Sequence, residues 1–73
     1  MTTQLYYETV RDGLVPVTFV KWKDHLVVVK VSEETLCYKV GEEIESSPMH
    51  IVTKAQPVGG HIMVRQAALP RRG

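Results

Sequence analysis

The feature that most constrains this chain is the rhythm of its β-branched and aromatic residues. They gather in short runs separated by turn-forming residues, and no helical period runs through them. Residues 4–10 are rich in Tyr, Thr and Val and are followed by Asp12-Gly13, a pair suited to the positive φ of a tight hairpin. Residues 14–22 form the next run. Pro16 cannot donate to a ladder, so it belongs near the start of that strand or on an exposed edge. Simple alternation then puts Val17, Phe19 and Lys21 on one face and Thr18, Val20 and Trp22 on the other.

Lys23-Asp24-His25 suits a second hairpin leading into residues 26–32. Their unbroken Leu26-Val27-Val28-Val29 stretch reads as a central strand buried on both faces. Glu33-Glu34 makes the next turn. Residues 35–40 alternate, with Leu36, Tyr38 and Val40 directed inward, and Gly41 ends the run. Ser46-Ser47-Pro48 signals a loop, residues 49–55 a fifth strand, Pro57-Val58-Gly59-Gly60 a turn and residues 61–66 a sixth strand. The expected fold is mainly β: a small antiparallel meander, or an SH3-like or OB-like barrel, of five to six short strands. Residues 1–66 make one domain and residues 67–73 a flexible basic tail. The large side chains concentrate in the first hairpin and in residues 17–40, so the core is expected there, with residues 46–66 closing it or hanging as an arm.

With only 73 residues, such a domain buries roughly 60% of the surface its unfolded chain exposes. A single cysteine provides no internal disulfide to compensate. The first residues lack the basic and apolar regions of a signal peptide, and no run approaches the roughly 20 apolar residues of a membrane span. With the lone thiol Cys37, these features lead to the expectation of a cytoplasmic protein with no membrane partner.

The net charge of +1 conceals a division. All eight carboxylates lie at or before Glu45; with five basic groups there, the first 45 residues sum to −3. The remaining 28 carry Lys54, Arg65, Arg71 and Arg72 and no carboxylate, which gives +4. Two surfaces of opposite sign are thus expected, each with its own partner. The densest acidic cluster is Glu42, Glu43 and Glu45. It is either a solvated turn or a docking patch for a basic protein segment, in which carboxylates steer encounter and set register and a neighbouring strand edge supplies main-chain hydrogen bonds. Lys54, Arg65, Arg71 and Arg72 are either a soluble ending or a contact for nucleic-acid phosphates or an acidic surface. Four cations are few for tight autonomous binding, and they suit a protein carried on a larger assembly.

No catalytic set can be assembled. His25, Cys37, His50 and His61 show no metal-ligand spacing, so neither a metal nor a cofactor is expected. Cys37 has no local base, and Gly59-Gly60 opens a strand and lacks the helix N-terminus of a phosphate cradle. Most of the aromatic residues are needed for the core. Tyr6 and Tyr7 point to opposite faces, so one of them, with Trp22 at its strand end, is a candidate exposed anchor for a protein partner; Tyr7 and Trp22 are the pair nominated.

The 73-residue length, the compact β portion and the ending Leu69-Pro70-Arg71-Arg72-Gly73 resemble the very small bacteriophage regulators that bind host RNA polymerase, of the Xanthomonas phage inhibitor and antiterminator type. No motif of that family can be matched residue by residue. The resemblance implies a non-enzymatic protein in the host bacterial cytoplasm. It would dock on the N-terminal segment of the polymerase β′ subunit near the RNA exit channel, inhibit initiation by displacing the σ factor, and act as an antiterminator. Glu42, Glu43 and Glu45 would meet the β′ segment, while Arg65, Arg71 and Arg72 would face emerging RNA or an acidic polymerase surface. Two other classes stay open. One is an autonomous RNA- or DNA-binding small barrel, with Val15-Pro16-Val17-Thr18-Phe19 faintly similar to the first strand of bacterial Sm-like proteins; the other is a small structural or scaffold subunit.

Overall fold

A computed structural model describes residues 3–54, 59 and 63–71 of the chain. Among these, six strands form a single antiparallel sheet: β1 (Leu5–Thr9), β2 (Gly13–Lys23), β3 (Leu26–Val31), β4 (Glu43–Ser46), β5 (Ile51–Lys54) and β6 (Val64–Gln66). A 3₁₀ turn, Pro48–His50, joins β4 to β5. The order across the sheet is β4-β3-β2-β1-β5-β6. The chain therefore meanders from β1 to β4 and returns through the 3₁₀ turn to pair β5 with β1. That order is the expected small antiparallel meander, extended by two returning strands.

Both hairpins form where the turn chemistry places them. Gly13 takes φ 65° at the end of the first, and Thr9 braces that turn by accepting from the Asp12 amide at 2.9 Å and donating to the Gly13 carbonyl at 3.1 Å. In the second, Lys23 pairs with Leu26 across Asp24 and His25, and Asp24 adopts φ 55°, a conformation to which Asp is among the better suited residues. As expected, β3 is flanked on both sides and buries Val27, Val28, Val29 and Val31.

One face of the sheet is the core. Val15 and Val17 from β2, Val27, Val29 and Val31 from β3, Ile44 from β4 and Ile51 from β5 cluster there with Ala67, and Leu5, Tyr7, Phe19, Trp22, Tyr38 and Leu69 pack around them. Side chains of β2, β3 and β4 meet those of β5 and Ala67 over this face, so Val27, Val29 and Ile51 reach zero exposure. The C-terminal half thus closes the core. Ala67 donates its amide to the Ile51 carbonyl at 2.9 Å and is itself buried, so at least the first residues of the expected tail are held to the body. Arg72 and Gly73 lie outside the described residues, as does the expected 57–60 turn apart from Gly59.

Three expectations are corrected. No strand covers residues 35–40: Thr35 donates to the Tyr38 carbonyl in a turn, and Leu36 and Val40 are 94% and 64% exposed. The reason lies in Asp12, whose Oδ2 accepts from Thr35 Oγ1 at 2.7 Å and from the Cys37 amide at 2.9 Å, holding the segment as a loop against the first hairpin. The place beside β3 goes to Glu43–Ser46, whose period-two pattern buries Ile44 and Ser46.

Trp22 does not lie on the face opposite Phe19. Phe19 pairs with Val29 and Lys21 with Val28, which leaves Val20 as the extra residue of a β-bulge. The bulge inverts the alternation and brings Trp22 to the core face, edge-on to Phe19 with ring centroids 6.3 Å apart. Of the two places expected for Pro16, the structure has the one near the strand's start and not the edge, since β2 is interior. Its carbonyl accepts from the Ser32 amide at 2.9 Å, one residue beyond the last β2–β3 pair, so its missing donor falls where β3 ends. The fifth strand starts at Ile51, because Pro48–His50 is the 3₁₀ turn, whose Pro48 sits in the first turn and whose Ser47 hydroxyl accepts from the Met49 amide.

Candidate protein-docking edge and basic groove

The sheet has two free ends among the described residues, β4 and β6, and they carry opposite charge. On β4 the hydrogen-bond pattern decides what faces outward. Val31 donates to the Glu42 carbonyl at 2.8 Å, so in the antiparallel alternation residues 44 and 46 turn their N–H and C=O toward β3. The N–H and C=O of Glu43 and Glu45 consequently point away from the sheet, a row of four main-chain groups on an acidic edge.

The side chains of Glu43 and Glu45 lie on the outer face, opposite Lys30 and Val28 in register. Glu45 forms an ion pair with Lys23 at 2.5 Å, and this contact, with the carboxylate's charge, raises the Lys23 pKa. Lys21, Trp22, Lys23, Val28, Glu43 and Glu45 line a shallow depression of about 690 Å³. Val28 is only 4% exposed there, covered by the stems of its long charged neighbours. The acidic cluster is therefore half of a mixed-charge ladder, which the register reveals and the one-dimensional charge count does not. Glu42 precedes the strand and is exposed on the loop.

Of the two aromatic anchors, Trp22 borders this depression and Tyr7 stands apart from it. Tyr7 is half-buried on the core face, edge-on to Tyr38 at 6.2 Å, and burial raises the Tyr38 pKa. Trp22 is half-buried beside Phe19 and donates its indole N–H to the Pro70 carbonyl at 2.8 Å. Although its ring packs beside Phe19, Trp22 borders the same depression as Glu43 and Glu45, whereas Tyr7 does not.

The basic residues gather at the other end. Lys54 places its ammonium over the Tyr6 ring at 4.7 Å from the centroid. Arg65 is exposed on β6 opposite Thr53, and Arg71 is exposed just beyond Pro70. Arg72 lies outside the described residues. Between β5–β6, the start of β1 and the 68–70 segment runs an open groove of about 1000 Å³, lined among others by Gln4, Leu5, Phe19, Thr53, Lys54 and Arg65. Sequence reasoning nominated the two cations but neither Gln4 nor Thr53, because only pairing across β1, β2 and β5 brings them together.

Among the described residues no group of His, Cys, Asp and Glu is placed to hold a metal ion, and no helix is long and apolar enough to cross a membrane. Comparison with protein-family models, with curated proteins and with solved structures finds no match to this chain.

Proposed function

We propose that this chain is a non-enzymatic regulator that docks on bacterial RNA polymerase by adding an extended segment of the enzyme to its β4 edge. The observation that carries the reading is the outward row of main-chain groups at Glu43 and Glu45, flanked by their carboxylates. Strand addition gains affinity from main-chain hydrogen bonds, and alternate side chains supply specificity. A partner strand pairing with Glu43 and Glu45 places its own alternate residues beside the two carboxylates, so basic residues at that spacing are favoured.

The resemblance to small phage regulators implies that the segment is the N-terminal part of the β′ subunit. Docked near the RNA exit channel, a body of 38 × 28 × 24 Å is large enough to obstruct neighbouring surfaces. That bulk supports inhibition of initiation through σ-factor displacement and, during elongation, antitermination. The activity then belongs to the polymerase, and the small domain needs no catalytic group of its own.

The test is capture of RNA polymerase from a bacterial lysate on the immobilised full chain, followed by titration with the isolated β′ N-terminal segment. Recovery of the polymerase with the parent chain and its loss with Glu43→Lys/Glu45→Lys, the fold intact by NMR, is expected. Equal recovery with the charge-reversed chain would overturn the docking edge, and no recovery at all would overturn the polymerase reading.

A further inference from the structure

We infer that the groove between the β5–β6 end and the start of β1 binds single-stranded RNA, with phosphates at Arg65 and Lys54 and a base held between Gln4 and Phe19. The inference stands independently of the polymerase reading, since it concerns the opposite end of the sheet.

Charge supplies the first argument. Every Asp and Glu of the chain lies at or before Glu45 and within the described residues, and none of them lines this groove or pairs with Lys54 or Arg65. Two cations without a carboxylate partner favour an anionic occupant. Arg71, exposed next to Pro70 on the groove's wall, extends the positive field.

Gln4 distinguishes a nucleic acid from an acidic peptide. Its Nε2 donates to two carbonyl oxygens, of Leu5 at 2.8 Å and of Val17 at 2.9 Å. Both partners are acceptors, so the amide orientation is determined and Oε1 is left as an acceptor among the groove-lining groups. A carboxylate side chain has only acceptors to offer and is repelled there. A nucleobase offers N–H donors on its edge. The apolar wall supplied by Leu5 and the half-buried Phe19 gives the base a surface to lie against, as in other single-strand sites that combine a basic groove with an aromatic contact. Thr53, whose hydroxyl makes no hydrogen bond in the described structure, is a partner for a ribose 2′-hydroxyl, which favours RNA over DNA.

The experiment is fluorescence anisotropy with the full chain and a labelled mixed-sequence RNA of about ten nucleotides. It is repeated with the matching DNA and with a glutamate-rich peptide, and accompanied by amide chemical shifts. Two phosphate contacts imply that affinity falls about sevenfold between about 50 and 200 mM salt. Arg65→Glu should weaken binding about tenfold or more, through a lost phosphate contact and an added like charge. The DNA should bind about fivefold more weakly for want of one hydrogen bond, and the shifts should centre on Gln4, Thr53 and Arg65. Glu43→Lys/Glu45→Lys, the variant expected to lose polymerase docking, should leave RNA binding intact. The inference is overturned by no binding at low salt, by Arg65→Glu binding as the parent does, by DNA or the acidic peptide binding as tightly as RNA, or by shifts centred on β4.

Discussion

Trp22 and Pro70 are 48 positions apart in sequence, yet the Trp22 indole N–H donates to the Pro70 carbonyl at 2.8 Å. This bond fastens the segment after β6 to the far half of β2 and thereby holds the curl of the sheet. Leu69, next to Pro70, packs against the core, so the fastening also keeps an apolar side chain out of water. Trp22→Phe keeps most of the ring and removes the donor. It should cost about 1 kcal/mol, visible as a drop of roughly 4–8 °C in Tm for a domain of this size. Unchanged Tm would show that the bond is not coupled to folding.

The Asp12 clamp gives a pH dependence of definite sign. Hydrogen bonds from Thr35, first, and from the Cys37 amide lower the Asp12 pKa below its ordinary value of 3.8. A carboxyl depressed in the folded state stabilises that state above its unfolded pKa and loses the contribution as pH falls through the folded one. The loop at residues 35–38 should therefore be held at neutral pH and released as pH drops below about 4. Hydrogen exchange at the Cys37 amide measures this directly. In Asp12→Ala its protection should be lost at neutral pH while the β2–β3 ladder stays protected.

The direction of the β4 main chain can be tested with proline. At position 45 the amide points away from β3, so Glu45→Pro removes no ladder bond and should leave the fold in place, as edge prolines do. Binding of the polymerase segment should nevertheless be abolished, because one outward donor is gone. Ile44→Pro, one residue earlier, should unfold the domain: it removes a bond to β3 and a buried side chain worth about 2–5 kcal/mol. If the two variants behave alike in thermal melts, the assigned edge is wrong.

Deleting Val20 tests the bulge. Without the extra residue the ladder becomes regular with its faces unchanged, Phe19 and Trp22 on the core face and Lys21 on the outer one. The cooperative unfolding transition should persist, at lower stability because the local bend and extra twist of the bulge are lost. Val20→Ala keeps the residue count and removes only a side chain that is 39% exposed, so it should lower stability by less than about 1 kcal/mol. A deletion variant without a cooperative transition would mean that closing the core requires the bend itself.

The Lys23–Glu45 pair is exposed, with 58% and 46% of the two side chains accessible, so its stability contribution should be small. Glu45→Gln should leave Tm nearly unchanged. It should slow association with a basic partner segment, and the slowing should vanish at high salt, read by stopped-flow or surface plasmon resonance.

Local pattern alone determined the β class, both early hairpins and the central place of β3. Those features rest on interactions between residues close in sequence, on Gly13 at its turn and on an aliphatic run that has no other way to be buried. The segregation of carboxylates before residue 46 was equally plain, and it became two differently charged ends of one sheet. Tertiary structure decided the rest. Residues 35–40 and 43–46 both alternate, and only one can occupy the single place beside β3. The choice fell to Asp12, a group more than twenty positions from the amide and hydroxyl it captures. The bulge at Val20 is set by how β2 must bend to close the core, which no window of a few residues reports. The acidic run looked isolated because its lysine neighbours on β2 and β3 become neighbours only through cross-strand register, and Gln4 and Arg65 line one groove only because the returning β5 pairs with β1. Local preferences wrote the strands; long-range pairing decided which of their side chains meet.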